Sequence, residues 1–250
     1  MTLAERLWQT VRREAEAAAS ADPVLAQSLS KSVLDHAGLG GALAFQIGER
    51  LGATDDERAR FGRVAREAFA EAPELVEAAS LDLQGVVDRD PAVTALLPPL
   101  LNYKGFVALE AWRVSNWLWQ RGRRDFALLM QSASSERLQV SIHPSVSIGS
   151  AVYLDHATGI IIGANCSVAD GVTILQNVTI GRGSERPARG PRIGRSVFLS
   201  SGASIIGDFS IGDFAKIGAG AVVTSDVPAG CTAVGVPARL TNCREDALPA

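Results

Sequence analysis

The chemistry of this sequence concentrates in two short stretches. The first is Leu154-Asp155-His156-Ala157-Thr158-Gly159, where a histidine follows an aspartate directly. Histidine titrates near neutral pH and suits proton transfer, and a carboxylate next to it can orient the ring. The second is Gly181 to Arg192, which holds four arginines against one acid among glycines and prolines. Guanidinium forks on such a basic loop can offer a carboxylate two hydrogen bonds. Together they make an active-site layout, provided that the fold brings the two loops together. The other two histidines sit elsewhere, His143 before Pro144 and His36 far upstream. Structural, hydrogen-bonded roles are expected for both.

Both loops interrupt a period that begins near Leu138. Aliphatic residues recur every six positions at Ile142 and Ile148, then at Ile162, Val168, Ile174 and Ile180, then from Ile193 through Leu199, Ile205, Ile211 and Ile217 to Val223. Many are followed by glycine, as in Ile193-Gly194 and Ile217-Gly218. A period of six fits neither a helix nor an amphipathic hairpin array. It fits a parallel β-helix of about four coils, in which each short face sends one aliphatic side chain inward and a small residue turns the corner. The spacing from Ile148 to Ile162 is 14 residues, two more than two repeats require, and that from Ile180 to Ile193 is 13, seven more than one repeat requires. A solenoid accommodates insertions as loops leaving one face, where binding sites are commonly built.

Up to about Arg137 the pattern is helical and rich in Ala, Leu, Arg and Glu. Thr2 with Glu5 and Thr54 with Glu57 predict capping boxes. Asp22-Pro23 and Asp90-Pro91 each read as an N-cap followed by proline at the first helical position. Trp112, Trp117 and Trp119 are expected in the core or at a subunit contact. The composition excludes other classes. The 250 residues are 47% hydrophobic and 20% charged, so disorder is not the main feature, and the net charge of −3 offers no basic field for nucleic acid. Apolar runs are broken well before the ~18 residues of a membrane span, and the N-terminus lacks a signal-peptide block. Three cysteines without paired spacing predict no disulfide framework and a reduced, cytoplasmic setting.

The whole pattern resembles the hexapeptide acyltransferases and, among them, the bacterial serine O-acetyltransferases. The stretches that carry the resemblance are Arg89-Asp90-Pro91-Ala92-Val93, Tyr103-Lys104-Gly105-Phe106, Trp117-Leu118-Trp119, Ile142-His143-Pro144, Leu154 to Ile160, Ala215 to Gly220 and Gly235 to Arg239. The resemblance implies an α+β chain: an all-α domain over 1–137, a left-handed parallel β-helix over 138–240 and a short tail over 241–250. It implies transfer of acetyl from acetyl-CoA to the hydroxyl of L-serine, the entry to cysteine synthesis, with no metal. His156 falls on the family's general base, with Asp155 beside it. Asp90 and Asp155 fall on the carboxylates that hold the acceptor's ammonium, and Arg189 on the arginine that holds its carboxylate. Ser201 and Ala219 along the coils and Lys216 near the phosphates fall on the acyl-CoA site. Trimers, or pairs of trimers, with sites between neighbouring subunits are implied as well.

The sequence departs from the family pattern at named positions. Ser141 stands where an aspartate orients the catalytic histidine, and Gly190 stands where a flap histidine precedes Pro191. Val107 and Asn116 replace two further histidines, and the flap is one residue shorter. These changes leave two alternatives open: a transferase of the same build acting on another amino- or hydroxy-acid, and a non-catalytic regulator or scaffold. Compensation by Ser141 itself or by Asp155 is a third possibility. The chain stops at Asp246-Ala247-Leu248-Pro249-Ala250, soon after the last coil, so no stable complex with cysteine synthase through a tail is expected.

Overall fold

In the computed structural model, which describes residues 1–183 and 189–243, three helix starts follow the capping signals at Thr2, Asp22 and Thr54. Thr2 and Glu5 exchange side-chain and backbone bonds at the start of α1 (Leu3–Ala21). Asp22 caps α2 (Pro23–Leu29) with Pro23 in its first turn, and one π-helical turn, Ser30–Leu34, follows. After α3 (Leu39–Leu51), Thr54 and Glu57 repeat the capping box at α4 (Asp55–Glu71). The chain continues through α5 (Pro73–Arg89), α6 (Leu97–Asn102), α7 (Lys104–Gln120) and α8 (Arg124–Leu138). Helix α7 is buried on nearly every side, and Trp112 and Trp117 are core residues there.

At Asp90 the structure differs from the expected N-cap. Asp90 ends α5, its N–H bonding Val86 O at 2.9 Å, and its Oδ1 accepts from Ala92 N–H at 2.9 Å across Pro91. An Asp-Pro step is as compatible with a helix end, where proline stops propagation, as with a start. The run from Pro73 to Arg89 decides the matter, because it already spends its helical turns upstream.

From Val140 the chain winds into a parallel β-helix with three faces. Face A stacks Val140–Ile142, Ile160–Ile162, Thr179–Gly181, Ser204–Ile206 and Val222–Val223. Face B stacks Ser147–Ile148, Ser167–Val168, Arg192–Ile193 and Ser210–Ile211. Face C stacks Tyr153–Leu154, Thr173–Ile174, Phe198–Leu199, Lys216–Ile217 and Thr232–Val234, and Arg239–Thr241 folds back antiparallel on its last strand. Every residue of the six-residue series points inward and is buried. The registers align them as ladders, Ile142, Ile162, Ile180, Ile205 and Val223 on face A and Ile148, Val168, Ile193 and Ile211 on face B.

The cysteines depart from expectation. Cys231 and Cys243 form a disulfide, while Cys166 is free, and burial pushes its thiol up to about 11. The pairing arises because the last strand turns back on the final coil, which brings together two residues that sequence spacing does not mark as partners. The tail residues 244–250 lie outside the described residues.

A buried cluster joins the helices to the first coil. Asp82 of α5 accepts from Arg113 Nε of α7 at 2.9 Å and from Val152 N–H at 2.8 Å, while Arg113 Nη2 donates to Gly149 O at 2.7 Å. Glu110 lies 3.6 Å from Arg113 Nε; burial, then the charge of Asp82, drives its carboxyl well above the usual range. Two of the departures noted above lie near this junction. Asn116 donates to Pro144 O and Val146 O at 2.7 and 3.1 Å, tying α7 to the first coil, and Val107 is packed in the core.

Candidate active site

The first break in the period is narrower than the sequence spacing suggested. Leu154 keeps the six-residue step and is buried in register with Ile174, so the two extra residues lie wholly between Leu154 and Ile162. They form the corner from face C to face A. There His156 and Ala157 both take positive φ, 53° and 59°, a left-handed conformation that histidine adopts more readily than most side chains. Thr158 N–H bonds His156 O at 2.8 Å and Gly159 N–H bonds Gln139 O at 2.8 Å, so the backbone of the corner is fixed on both sides. Gly159 has φ +77°, and a Cβ there would lie 2.2 Å from Asn177 Oδ1. The His156 ring is thereby turned outward and is 72% exposed.

Helix α7 presses on this corner from the other side. A Cβ on Gly105 would sit 2.1 Å from Leu154 O, so glycine is what permits the approach. Lys104 then bonds Thr158 Oγ1 and, at 3.3 Å, Gln139 Oε1. Asp90, arriving at the end of α5, completes a pocket of about 270 Å³ whose lining includes Asp90, Tyr103, Lys104, Asp155 and His156. The end of α5 is itself held by Arg89, which donates to Ala151 O at 2.6 Å and Gly171 O at 3.2 Å.

Within the pocket, His156 Nε2 lies 3.7 Å from Asp155 Oδ1, its one ion-pair neighbour among the described residues. Ser141 takes a different partner: its Oγ accepts from Gln131 Nε2 at 3.2 Å. The carboxylate nearest the ring is therefore Asp155, and Ser141 belongs to the α8 contact. Tyr153 and Tyr103, to which sequence reasoning gave no site role, both reach Asp90. The available signal was period two on the strand, which puts residues 153 and 155 on one side. The other two histidines make local bonds. His143 Nδ1 pairs with Ser145, its ring meets Trp119 at 5.1 Å, and burial lowers its pKa; His36 Nε2 contacts Lys31 O.

A second cavity, about 590 Å³, runs along the outside of face C between Arg89, Thr173, Phe198, Ser200, Lys216 and Thr232. Ser201 and Ala219 lie at the corner bordering it. Backbone bonds from Asn177 to Thr158, Gly202 to Gln176 and Gly220 to Ser201 stack that corner directly above the His156 loop. The structure thus brings Asp90, Asp155 and His156 into one pocket and sets Ser201, Lys216 and Ala219 along the groove and corner beyond it.

Arg189 is not brought to that pocket within one chain. The flap leaves between Thr179–Gly181 of face A and Arg192–Ile193 of face B, so face A separates it from the His156 corner. Arg189 is exposed, and Ser184 to Ala188 lie outside the described residues. Gly190 is buried; its N–H bonds Asn165 O at 3.1 Å, and a Cβ there would lie 2.4 Å from Cys166 Sγ. A Cβ at position 190 does not fit this packing, so the backbone at that residue is built around the glycine.

This architecture matches known proteins in sequence and in structure. The family described as "Serine acetyltransferase, N-terminal" matches residues 7–111. The serine acetyltransferase of Salmonella typhimurium is 42% identical over 239 residues, covering 95% of this chain and 88% of that protein. A soybean serine acetyltransferase solved in complex with serine superposes with a TM-score of 0.92 at 38% identity, covering 96% of this chain and 99% of that one. A serine acetyltransferase in complex with CoA gives 0.91 at 37% identity, over 95% and 100% of the two chains. With helices, coils and identity matched over nearly its full length, the chain belongs to the serine acetyltransferase family.

Proposed function

We propose that the protein transfers acetyl from acetyl-CoA to the hydroxyl of L-serine, giving O-acetylserine and free coenzyme A. The observation that carries this reading is the convergence of His156, Asp155 and Asp90 on one pocket at the end of the face C groove. A serine hydroxyl is a weak nucleophile at neutral pH and needs a base as it attacks. His156 takes the hydroxyl proton while the oxygen adds to the thioester carbonyl. The tetrahedral intermediate then collapses, the C–S bond breaks, and the proton passes from the imidazolium to the departing thiolate. Asp155 balances the charge that develops on the ring. Asp90 and Asp155 hold the acceptor's ammonium, because a cation taken from water needs paired anions.

The acyl-CoA lies along the corner of Ser201 and Ala219, with Lys216 toward its phosphates; the position of Lys216 in the groove supports this. Arg189 recognises the acceptor carboxylate across a subunit boundary. Its separation from His156 by the width of face A supports a trimer in which the flap of one copy meets the His156 corner of the next. Ile161, 48% exposed on the outside of face A, supports contact there. The helical domain, 1–137, pairs two trimers, and 138–240 forms the catalytic coil. Dependence on acetyl-CoA supports a cytoplasmic setting; among the described residues, no helix is long and apolar enough to cross a membrane. Initial rates of thiol release with L-serine, L-homoserine, L-threonine and glycerate test the acceptor. L-serine is expected to give the highest kcat/KM, by about tenfold or more over an analogue that leaves a buried polar partner unmatched. A higher value for another acceptor would overturn the assignment.

A further inference from the structure

The chain contains two tyrosines, and both hydroxyls reach the same carboxylate. Tyr153 Oη is 2.9 Å from Asp90 Oδ2 and 2.9 Å from Asp155 Oδ1. Tyr103 Oη is 3.4 Å from Asp90 Oδ2. A phenol has one proton to give, so Tyr153 donates to one carboxylate at a time. Asp90 Oδ1 is already engaged by Ala92 N–H at 2.9 Å. Among the described residues, neither Asp90 nor Asp155 is ion-paired with a lysine or arginine, and Asp155 Oδ1 lies 3.7 Å from the His156 ring. Two carboxylates held within reach of one hydroxyl repel each other and favour a shared cation.

The spacing between them is set by packing. The Tyr153 ring is 4% exposed and sits against Val86 of α5 and Val93 beyond its end, in a small apolar cluster joined by Tyr103. Its hydroxyl therefore stands at a fixed height between an aspartate carried by the helices and one carried by the first coil. Burial, followed by its bonds to Asp155 and Asp90, raises the phenol's pKa, so it remains a donor. Tyr103 lines the pocket wall beside Asp90.

We propose that Tyr153, assisted by Tyr103, is a positioning residue that spaces Asp90 and Asp155 for a primary ammonium and so selects amino-acid acceptors over hydroxy acids of the same size. The inference rests on the acceptor reading given above. A primary ammonium has three N–H donors and can bond both carboxylates at once, which the single phenol proton does not do.

The test is steady-state kinetics of wild type, Tyr153→Phe and Tyr103→Phe with L-serine and acetyl-CoA, with glycerate as a competitive inhibitor. Glycerate keeps the hydroxyl and carboxylate but carries a hydroxyl in place of the ammonium. Phenylalanine at 153 preserves the ring that packs on Val86 and Val93. In Tyr153→Phe the KM for L-serine is expected to rise about tenfold, the scale of one hydrogen bond to a charged group. The kcat, the KM for acetyl-CoA and the inhibition constant of glycerate should stay within about threefold of wild type. Tyr103→Phe, with its longer bond, should show a smaller rise in the same parameter. An unchanged KM for L-serine in Tyr153→Phe, or an equal loss for serine and glycerate, would overturn the inference alone. A wild-type protein without serine-dependent turnover would overturn the acceptor reading, and this inference with it.

Discussion

Replacing His156 is expected to lower kcat for serine acetylation by about 10³-fold, within the range that a positioned general base supplies. The fold should survive, because the ring is 72% exposed and the corner is held by backbone bonds on either side. The choice of substitution matters. His156 has φ +53°, where alanine is strained, so His156→Asn is the better probe of chemistry: asparagine tolerates that conformation but cannot take the proton. Both variants should lose turnover together, while the melting temperature of His156→Asn stays within about 2 °C of wild type, as for a surface change. More than about a tenth of wild-type kcat in His156→Asn would remove His156 from the role of base.

The second large effect concerns stability. Asp82→Ala should destabilise the protein by about 3–5 kcal/mol, because it takes from the buried Arg113 guanidinium its hydrogen-bonded carboxylate and leaves Val152 N–H without its acceptor. For a chain of 250 residues that is a fall of roughly 10 °C in melting temperature. The double variant Asp82→Ala/Arg113→Met, which removes both charges and fills the volume, should recover part of the loss. The consequence for the site is direct. Asp82 and Asp90 ride on the same helix, and the cluster fixes that helix against the coil that carries Asp155. A fall under about 2 °C in calorimetry of Asp82→Ala would mean that the cluster does not weld the two halves together.

The fold was legible where the governing interactions are local or strictly periodic. The six-residue ladder could be read because each coil repeats the same inward step, and the capping boxes because their partners lie three residues apart. Asp90 was harder. An Asp-Pro step marks either end of a helix, and only the length of the preceding run decides which. The disulfide depends on a fold-back after the last coil, which residue spacing does not encode. The candidate pocket was legible at His156 and Asp155, because they interrupt the ladder. Tyr153 was hidden beside the ladder, since its partner Asp90 is 63 residues away and meets it only when α5 docks on face C. Gly190 was legible as a departure but not as a cause. The structure adds that Cys166 occupies the space a side chain would need.

The central claim is acetyl transfer to the serine hydroxyl, and product identity tests it most directly. Wild-type protein incubated with carbonyl-¹³C-labelled acetyl-CoA and L-serine should yield, by NMR, a labelled ester on the serine side-chain oxygen together with an equal amount of free coenzyme A. Labelled acetate as the sole product, or label transferred to an acceptor other than serine when both are supplied, would contradict the account.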